Sequence, residues 1–240
     1  DLRDNETYAI AKLADGNCWM IENLRLADKD SNNNNIELSS TNTNNPSLPL
    51  THNYTESTTS NHLSPSVNPT TTAWCDTDSA ACDDQSMLYT GNTEERATTP
   101  VTANSNIYSY GNYYNWYSAT AGHGKYGSSY NYGYTAPGDI CPTGWTLPTS
   151  GGTNKDFAML YTNLSSTPAN IRKYPNNFLY SGIIYDSRVN DRGSDGSYWS
   201  KTASQIELVY VLHFGKTYVS PSSNGDNGKN FGLAIRCLAQ

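Results

Sequence analysis

The sequence predicts an α+β domain with two helices, small twisted antiparallel sheets and much irregular loop. Apolar residues recur at helical spacing in two segments and alternate along a third, with Gly-, Asn- and Pro-rich stretches between them. Only 15% of the 240 residues are charged and 36% are hydrophobic, so uncharged polar residues dominate. The chain nevertheless holds 19 Tyr, whereas disordered chains are poor in aromatic residues and rich in net charge. These features together predict a folded, loop-rich domain.

The charge and hydropathy patterns argue against two classes of protein. A net charge of -7 disfavours a nucleic-acid partner, because the phosphate backbone attracts basic surfaces. No stretch approaches the roughly 18 consecutive apolar residues of a membrane span, so we predict no transmembrane segment in this chain. The chain begins at Asp1 rather than Met, and we interpret it as a mature fragment whose targeting segment has been removed.

The spacing of the five cysteines is typical of structural disulfides rather than of a metal site. None forms a CxxC pair, and the four His do not lie near them at zinc-ligand spacing. Cys75 and Cys82 bracket a short acidic loop and are predicted to pair locally. Cys141 and Cys237 are predicted to pair across a long loop, which stabilises a fold by up to about 4–5 kcal/mol. For Cys18 two alternatives remain: a partner upstream of this chain, or a buried free thiol.

The first 27 residues are predicted to form a β-hairpin, and an insertion is predicted to follow it. Residues 7–13 and 18–24 supply the two strands, and Asp15-Gly16 is the turn signal between them. Residues 31–72 are dominated by Asn, Ser and Thr and show no periodicity. We interpret 31–105 as a surface insertion within one domain of residues 1–240, stapled at its far end by the predicted local disulfide. The alternative is a disordered linker between two units.

An aromatic segment predicts the first helix. The tyrosines of this segment fall at positions i, i+3, i+4 and i+7, which is one helical face: Tyr110, Tyr113, Tyr114 and Tyr117. We therefore expect a helix that packs through aromatic rings, followed by a Gly- and Tyr-rich loop over residues 121–138.

The second helix is the clearer of the two. Its apolar face is predicted to carry Phe157, Leu160, Tyr161 and Leu164. Asn154 precedes this run and is the expected N-cap, because an Asn side chain accepts a hydrogen bond from the first free backbone amides of a helix.

The sequence pattern in the last third of the chain predicts three strands. Residues 205–214 alternate cleanly, with the apolar side chains from Ile206 to Phe214 on one face. Tyr218-Val219 is a candidate partner strand, residues 222–229 form a turn-rich loop, and residues 232–238 form the final strand. Because that last strand carries a predicted half-cystine, we expect the two chain ends to pair in one small sheet.

Specific motifs along the chain resemble a known family. They occur in the order Cys18-Trp-Met-Ile-Glu-Asn-Leu24, Tyr110-Gly111 with Tyr114-Asn-Trp-Tyr117, Ile140-Cys-Pro-Thr-Gly-Trp-Thr-Leu-Pro-Thr149, Gly196-Ser-Tyr-Trp-Ser200 and Ile235-Arg-Cys237. This series resembles the Fibrobacter succinogenes major paralogous domain of bacterial surface and secreted proteins. That family is similar to the C-type-lectin-like superfamily, which includes formylglycine-generating enzymes and the variable proteins of diversity-generating retroelements.

The resemblance covers residues 1–27 and 107–240, and it implies a C-type-lectin-like fold in a secreted or cell-surface bacterial protein. Two positions depart from the family pattern. Thr146 stands where a basic or His residue is common, and Leu233-Ala234 replaces the usual Ser-Val before Arg-Cys. The shared motif residues are interpreted as a scaffold and not as a catalytic set.

The residues needed for enzymatic chemistry do not come together in the sequence, so we predict that the protein is not an enzyme. The formylglycine-generating relatives need a closely spaced cysteine pair, whereas the C-terminal part here holds only Cys237. The four scattered His suggest no Ser/His/Asp grouping. Acid–base chemistry by Asp186, Asp191 and Asp195 is conceivable, but solvation of a loop is the simpler interpretation.

Ligand binding is predicted for the segment from residue 180 to residue 230. Its Tyr, Ser, Gly and Asn content, with some Arg and Trp, is typical of antibody loops. The candidate binding residues are Tyr185, Asp186, Arg188, Asn190, Asp191, Arg192, Tyr198, Trp199, Lys201, His213, Tyr218 and Asn224. For Trp199 the alternative is a core position beside Gly196. A sharper hypothesis holds that this segment is a diversified variable region.

The predicted partner is an unknown protein or glycan ligand, and two other functions stay open. One is a calcium-dependent carbohydrate-binding module, with calcium held by oxygen atoms of Asp186, Asn190, Asp191 and Asp195. Calcium is the single cofactor hypothesis that the sequence raises. The other is a passive surface module without a specific ligand.

Overall fold

A computed structural model describes residues 1, 3, 6–26, 66–67, 110–121, 123, 133–185, 188–224 and 227–240. Within this part the chain is α+β, with small antiparallel sheets and three short helices. The strands are β1 Ile10–Lys12, β2 Cys18–Met20, β3 Ser66–Val67, β4 Tyr113–Tyr114, β5 Trp145–Thr146, β6 Ile183–Tyr185, β7 Arg188–Asn190, β8 Gly196–Ala203, β9 Val209–Phe214, β10 Val219–Ser223 and β11 Leu238–Ala239. The helices are α1 Trp116–Ala119, α2 Asp156–Asn163 and α3 Pro168–Arg172. The predicted insertion 31–105 and its Cys75–Cys82 disulfide lie outside the described residues, apart from β3.

The two chain ends meet in one four-stranded sheet, as predicted. Its order is β1-β2-β11-β5, and every neighbouring pair is antiparallel. The Asp15-Gly16 turn closes the first hairpin. Gly16 adopts a φ of 86°, which residues with a side chain rarely adopt. The Asp15 carboxylate also accepts a hydrogen bond from Trp19 Nε1 at 3.0 Å, which ties the turn to the core.

A three-stranded antiparallel sheet, with the order β10-β9-β8, separates two hydrophobic cores. Neighbouring residues of a strand point to opposite faces, and Trp199 and Val211 belong to one core while Tyr198 and Leu212 belong to the other. Because both faces are covered, β8 is almost continuously buried. The predicted alternation of residues 205–214 is therefore only partly correct, since both faces of β9 are buried and the strand begins at Val209.

The ends of the predicted C-terminal strands also differ from the expectation. The Tyr218-Val219 partner is confirmed in part as β10, which begins at Val219, continues to Ser223 and includes part of the predicted loop. Of the predicted final strand 232–238, only its last residue lies in β11. Residues 232–234 instead make isolated bridges to three different segments, so the chain crosses between sheets there.

The predicted helix at Tyr110–Tyr117 is wrong for most of its length. Residues 113–114 form β4, and only the four-residue α1 is helical. Gly111 has a φ of 70°, and a Cβ there would lie 2.6 Å from Leu24 O. The backbone of this segment bonds to distant partners, for example Tyr114 N to Leu233 O at 3.0 Å. All four tyrosines are nonetheless buried, so the helical spacing reflects the core and not a helix.

The second predicted helix is confirmed as α2, which buries Phe157 and Leu160. Its N-cap is Lys155 rather than Asn154. The Asp156 carboxylate, in the first turn, accepts hydrogen bonds from the backbone amide and the hydroxyl of Thr149, each at 2.7 Å. The amide of Asp156 in turn donates to Thr149 Oγ1 at 3.3 Å, so Thr149 supplies the side-chain acceptor that was expected from Asn154.

The Cys141–Cys237 disulfide is present, with a Cα–Cα distance of 5.9 Å, and both residues are buried in the first core. Cys18 is a free thiol whose residue is exposed, so the buried-thiol alternative is wrong. No helix in the described part of the chain has the length and apolar character needed to span a membrane.

A buried arginine links the terminal sheet to the rest of the domain. Arg236 has 0% exposure, and its guanidinium donates to Asn23 Oδ1 at 2.7 Å and to the backbone oxygens of Met20, Asn176 and Asn177 at 3.3, 2.9 and 2.8 Å. The guanidinium also lies 4.6 Å from the Phe178 ring centre. Its donors are thus directed to fixed acceptors, which is the condition under which a buried charge is tolerated.

Candidate functional site

Tyr198 and Trp199 are core residues, which corrects their prediction as ligand contacts. Both have 0% exposure. The Tyr198 hydroxyl accepts a hydrogen bond from Leu179 N at 2.8 Å, and its ring stacks on Phe214 with ring centres 6.2 Å apart. Trp199 Nε1 donates to Tyr114 O at 2.6 Å. A ligand reaches neither ring in this conformation, because the two rings are buried in the two cores and their polar atoms are hydrogen-bonded within the protein.

Lys201 also directs its charged group into the protein. Its Nζ donates to Thr146 Oγ1 at 2.6 Å and lies 3.9 Å from Asp139 Oδ2. Thr146 in turn donates to Asp139 at 2.8 Å. The Thr146 hydroxyl thus connects a lysine on β8 with an aspartate two residues before Cys141.

The other predicted residues divide by location. Asp186 lies outside the described residues, and only the backbone of Tyr185 and Arg188 is described, where the two pair across the β6–β7 hairpin. Asn190 ends β7 and is half-buried. The Arg192 guanidinium lies 5.5 Å from the Tyr110 ring centre and is directed toward the protein interior. Asn224 is exposed after the end of β10.

His213 and Tyr218 do come together, and they form a hydrogen-bonded chain with two residues that were not in the predicted set. Ser197 Oγ lies 2.8 Å from His213 Nδ1, and His213 Nε2 lies 2.6 Å from the Tyr218 hydroxyl oxygen. The Tyr218 hydroxyl donates to Asp195 Oδ1 at 2.5 Å. We call the surface made by residues 191–195 and 213–218 the rim.

Strand register and one glycine place these groups together. Ser197 and His213 are direct cross-strand partners on β8 and β9. The chain then turns at Gly215, whose amide donates to Tyr218 O at 3.0 Å. A Cβ at Gly215 would lie 2.5 Å from Tyr218 Cε1 and 2.8 Å from Asp195 Oδ1, so the close approach of these two side chains requires a glycine.

The turn that carries the carboxylates is also fixed by hydrogen bonds. Asp191 has a φ of 58°, a conformation that Asp tolerates better than most residues. Its backbone oxygen accepts from the amides of Ser194 and Asp195 at 3.1 and 2.9 Å. Asp191 is exposed, whereas Asp195 is half-buried beside Tyr218. The rim therefore holds one exposed and one half-buried carboxylate on a hydrogen-bonded turn.

The surroundings keep both rings of the rim uncharged near neutral pH. Desolvation lowers the pKa of His213, and the carboxylates of Asp195 and Asp191 oppose this effect. Desolvation and then the hydrogen bond to Asp195 raise the pKa of Tyr218. Because Tyr218 gives its single proton to Asp195, its oxygen accepts from His213 Nε2–H. His213 Nδ1 is then left to accept the Ser197 proton.

The Ser197–His213 pair has the arrangement of a nucleophile and its base, but the serine is inaccessible. Ser197 is only 1% exposed, and Trp199 and Phe214 near it belong to the packed cores. A reacting carbonyl needs access to the hydroxyl oxygen, which this packing prevents. Among the described residues, no group of three or more His, Cys, Asp or Glu side chains is placed to hold a metal ion.

Sequence reasoning identified His213 and Tyr218 by residue type but missed Ser197 and Gly215, and it considered Asp195 only for acid–base chemistry or calcium. The pairing of Gly-Ser-Tyr-Trp with His-Phe-Gly would have indicated that Ser197 lies opposite His213. This pairing was not predicted, because β8 is buried on both faces and its sequence lacks the alternation of a typical strand. Comparison of the chain with protein-family models, with curated proteins and with solved structures finds no match. The functional argument therefore depends on the geometry of the rim.

Proposed function

We propose that the protein is a secreted or cell-surface ligand-binding domain of the C-type-lectin-like kind, adhesin-like or receptor-like, and that it contacts its ligand through the rim. Three features support this proposal. The chain ends pair in one sheet, a long-range disulfide closes the C-terminal half, and irregular loops follow β7 and β9. Disulfides persist in oxidising, extracytoplasmic compartments, which supports the proposed location.

The observation that carries the proposal is the exposed and immobilised ring of Tyr218. This residue is 42% exposed, although its hydroxyl is bonded to Asp195 and His213 and its backbone closes the Gly215 turn. An exposed aromatic ring that is already fixed loses little conformational entropy on binding. Tyr218 is therefore suited to be the central contact of a binding surface.

A diversified variable region remains part of the proposal. Exposed positions such as Asp191, Lys216 and Tyr218 tolerate exchange more readily than the buried residues between them. Under this hypothesis, variation is confined to the rim while Tyr198 and Trp199 stay constant. A near-identical template repeat beside a reverse transcriptase gene would support the hypothesis, and the absence of both would contradict it.

The binding function is tested with the purified chain on a glycan array and on a panel of purified surface proteins, with and without a calcium chelator. Tyr218→Ala is compared with Ile206→Ala, because Ile206 is also 42% exposed but lies outside the rim. We expect ligands of the unmodified chain to be lost with Tyr218→Ala and kept with Ile206→Ala. Equal binding by both variants, or no ligand on either array, would overturn the proposal and favour a passive surface module. Loss of binding only in the chelator would favour the calcium-dependent alternative.

A further inference from the structure

The two carboxylates of the rim act on both of its rings. Both carboxylates, Asp195 and Asp191, favour the charged form of His213 and disfavour the charged form of Tyr218. This is the effect of negative charge near each ring. The whole chain carries a net charge of -7, so long-range attraction also favours a cation over an anion.

The polar atoms of the two rings are already used inside the protein. Both nitrogens of His213 and the hydroxyl of Tyr218 are hydrogen-bonded to other side chains of the protein. What remains for a ligand is the exposed part of Tyr218, the carboxylate of the exposed Asp191 and the negative charge of the half-buried Asp195. A neutral sugar can donate its hydroxyl protons to these carboxylates, but only a cation also gains from their negative charge. A cation needs only an aromatic face and negative charge.

We propose that the rim binds an organic ammonium ion, which lies against the Tyr218 ring and between the carboxylates of Asp191 and Asp195. The proposal rests on the binding function above and specifies the chemistry of its ligand. An alkylammonium group fits because its diffuse charge loses less hydration free energy than a metal ion when it contacts an aromatic face. The fixed Tyr218 ring supplies that face, and the carboxylates supply the counter-charge.

Choline is the probe, and 3,3-dimethyl-1-butanol is its neutral control. The control has the same shape as choline but carries an uncharged carbon in place of the ammonium nitrogen. Binding is followed by NMR through the His213 ring, whose centre lies 5.3 Å from that of Tyr218. Its signals are assigned with His213→Gln. We expect a saturable chemical-shift change with choline. The neutral control should bind at least about fivefold more weakly than choline, which corresponds to the strength of an exposed cation–π contact. Equal binding of the two probes, or no saturable shift with choline, would overturn the proposal.

Variants separate the ring from the carboxylates. Tyr218→Leu and Asp191→Asn are each expected to weaken choline binding about two- to fivefold, the range for an exposed cation–π contact or ion pair. Glu207→Gln removes the same charge at the opposite end of β9 and is expected to leave binding unchanged, because exposed charges beyond about 8–10 Å are screened. Equal losses in Asp191→Asn and Glu207→Gln would show only a net-charge effect and would contradict the proposal.

Two further outcomes distinguish this proposal from the broader one. Lys216→Gln removes a positive charge from the same turn, so choline should bind equally or up to about twofold more tightly; weaker binding would contradict the ammonium site. If array ligands depend on Tyr218 while choline fails to bind or to compete, the binding function stands and the ammonium chemistry is wrong. If choline binds and no array ligand depends on Tyr218, the ammonium site stands and the proposed recognition of a surface glycan or protein through the rim is wrong.

Discussion

Two polar clusters of this molecule, one around Arg236 and one around His213, are built from similar side-chain hydrogen bonds but differ in exposure. Arg236 has 0% exposure and bonds to four residues from two separate segments, whereas Tyr218 in the rim is 42% exposed. A fully buried network is costly to leave half satisfied, so the first cluster specifies the fold. The second cluster costs less to alter and faces solvent, so it is available for binding.

The largest expected effect is the loss of the buried guanidinium. Arg236→Met leaves the carbonyl oxygens of Asn176 and Asn177 and the Asn23 amide oxygen without their donor. We expect a loss of about 3–5 kcal/mol in the free energy of unfolding, measured by urea denaturation, because breaking a buried charged network leaves uncompensated groups. Lys216→Met is the control cation, since Lys216 is exposed, and it should change stability by less than about 0.5 kcal/mol. Similar urea unfolding midpoints for the two variants would contradict the conclusion that the buried Arg236 cluster specifies the fold.

The next effect concerns the disulfide that holds the same buried region. Replacing Cys141 and Cys237 by Ser removes a crosslink that spans 96 residues, and we expect a loss of about 2–4 kcal/mol. Cys18→Ser is the matched control, because that thiol is exposed and free. An unchanged unfolding midpoint in the double variant would show that the crosslink does not stabilise this fold.

The sequence predicted the parts of the fold that depend on local signals. The Asp15-Gly16 hairpin, the α2 face with Phe157 and Leu160, and the Cys141–Cys237 pair are confirmed. The helix over Tyr110–Tyr117 is wrong because the backbone bonds to Leu24 and Leu233, which are distant in sequence. Periodicity reports which side chains are buried, but long-range backbone bonding decides whether the segment is a helix.

The rim was predicted only in part for a related reason. His213 and Tyr218 were chosen by residue type, whereas Tyr198 and Trp199 were included because aromatic residues are common in binding loops. Burial depends on β8 lying between two cores, and no alternation in its sequence indicates this. Asp195 joins the rim through a tertiary contact to Tyr218, which no local pattern predicts.

A smaller effect is expected where the rim depends on close packing. Gly215→Ala would place a methyl group 2.5 Å from Tyr218 Cε1 and 2.8 Å from Asp195 Oδ1, so one of them must move. We expect a loss of about 1–3 kcal/mol in stability, typical of overpacking, together with a changed His213 ring signal. Gly152→Ala is the control, because its nearest contact would be Lys155 Cγ at an ordinary 3.7 Å. An unperturbed ring signal in Gly215→Ala would mean that the turn does not position Tyr218.

The smallest effect is the pH dependence that His213 gives to stability. Desolvation lowers its pKa in the folded protein below the ordinary 6.5, so the unfolded chain binds a proton more readily. The stabilising contribution of neutral His213 is therefore complete above about pH 6.5 and is lost as the pH falls below that value, until the folded-state pKa is passed. Urea midpoints of the unmodified chain and of His213→Gln, measured at about pH 8 and about pH 5, isolate this residue from the other histidines. The unmodified chain should lose more stability than the variant on acidification, because only in the former does a proton disturb the bond between Ser197 and His213. Equal losses of stability in the unmodified chain and the variant would show that the hydrogen bonds from Ser197 to Asp195 accommodate a charged imidazole without cost. Protonation of His213 would then leave the rim unchanged in acid.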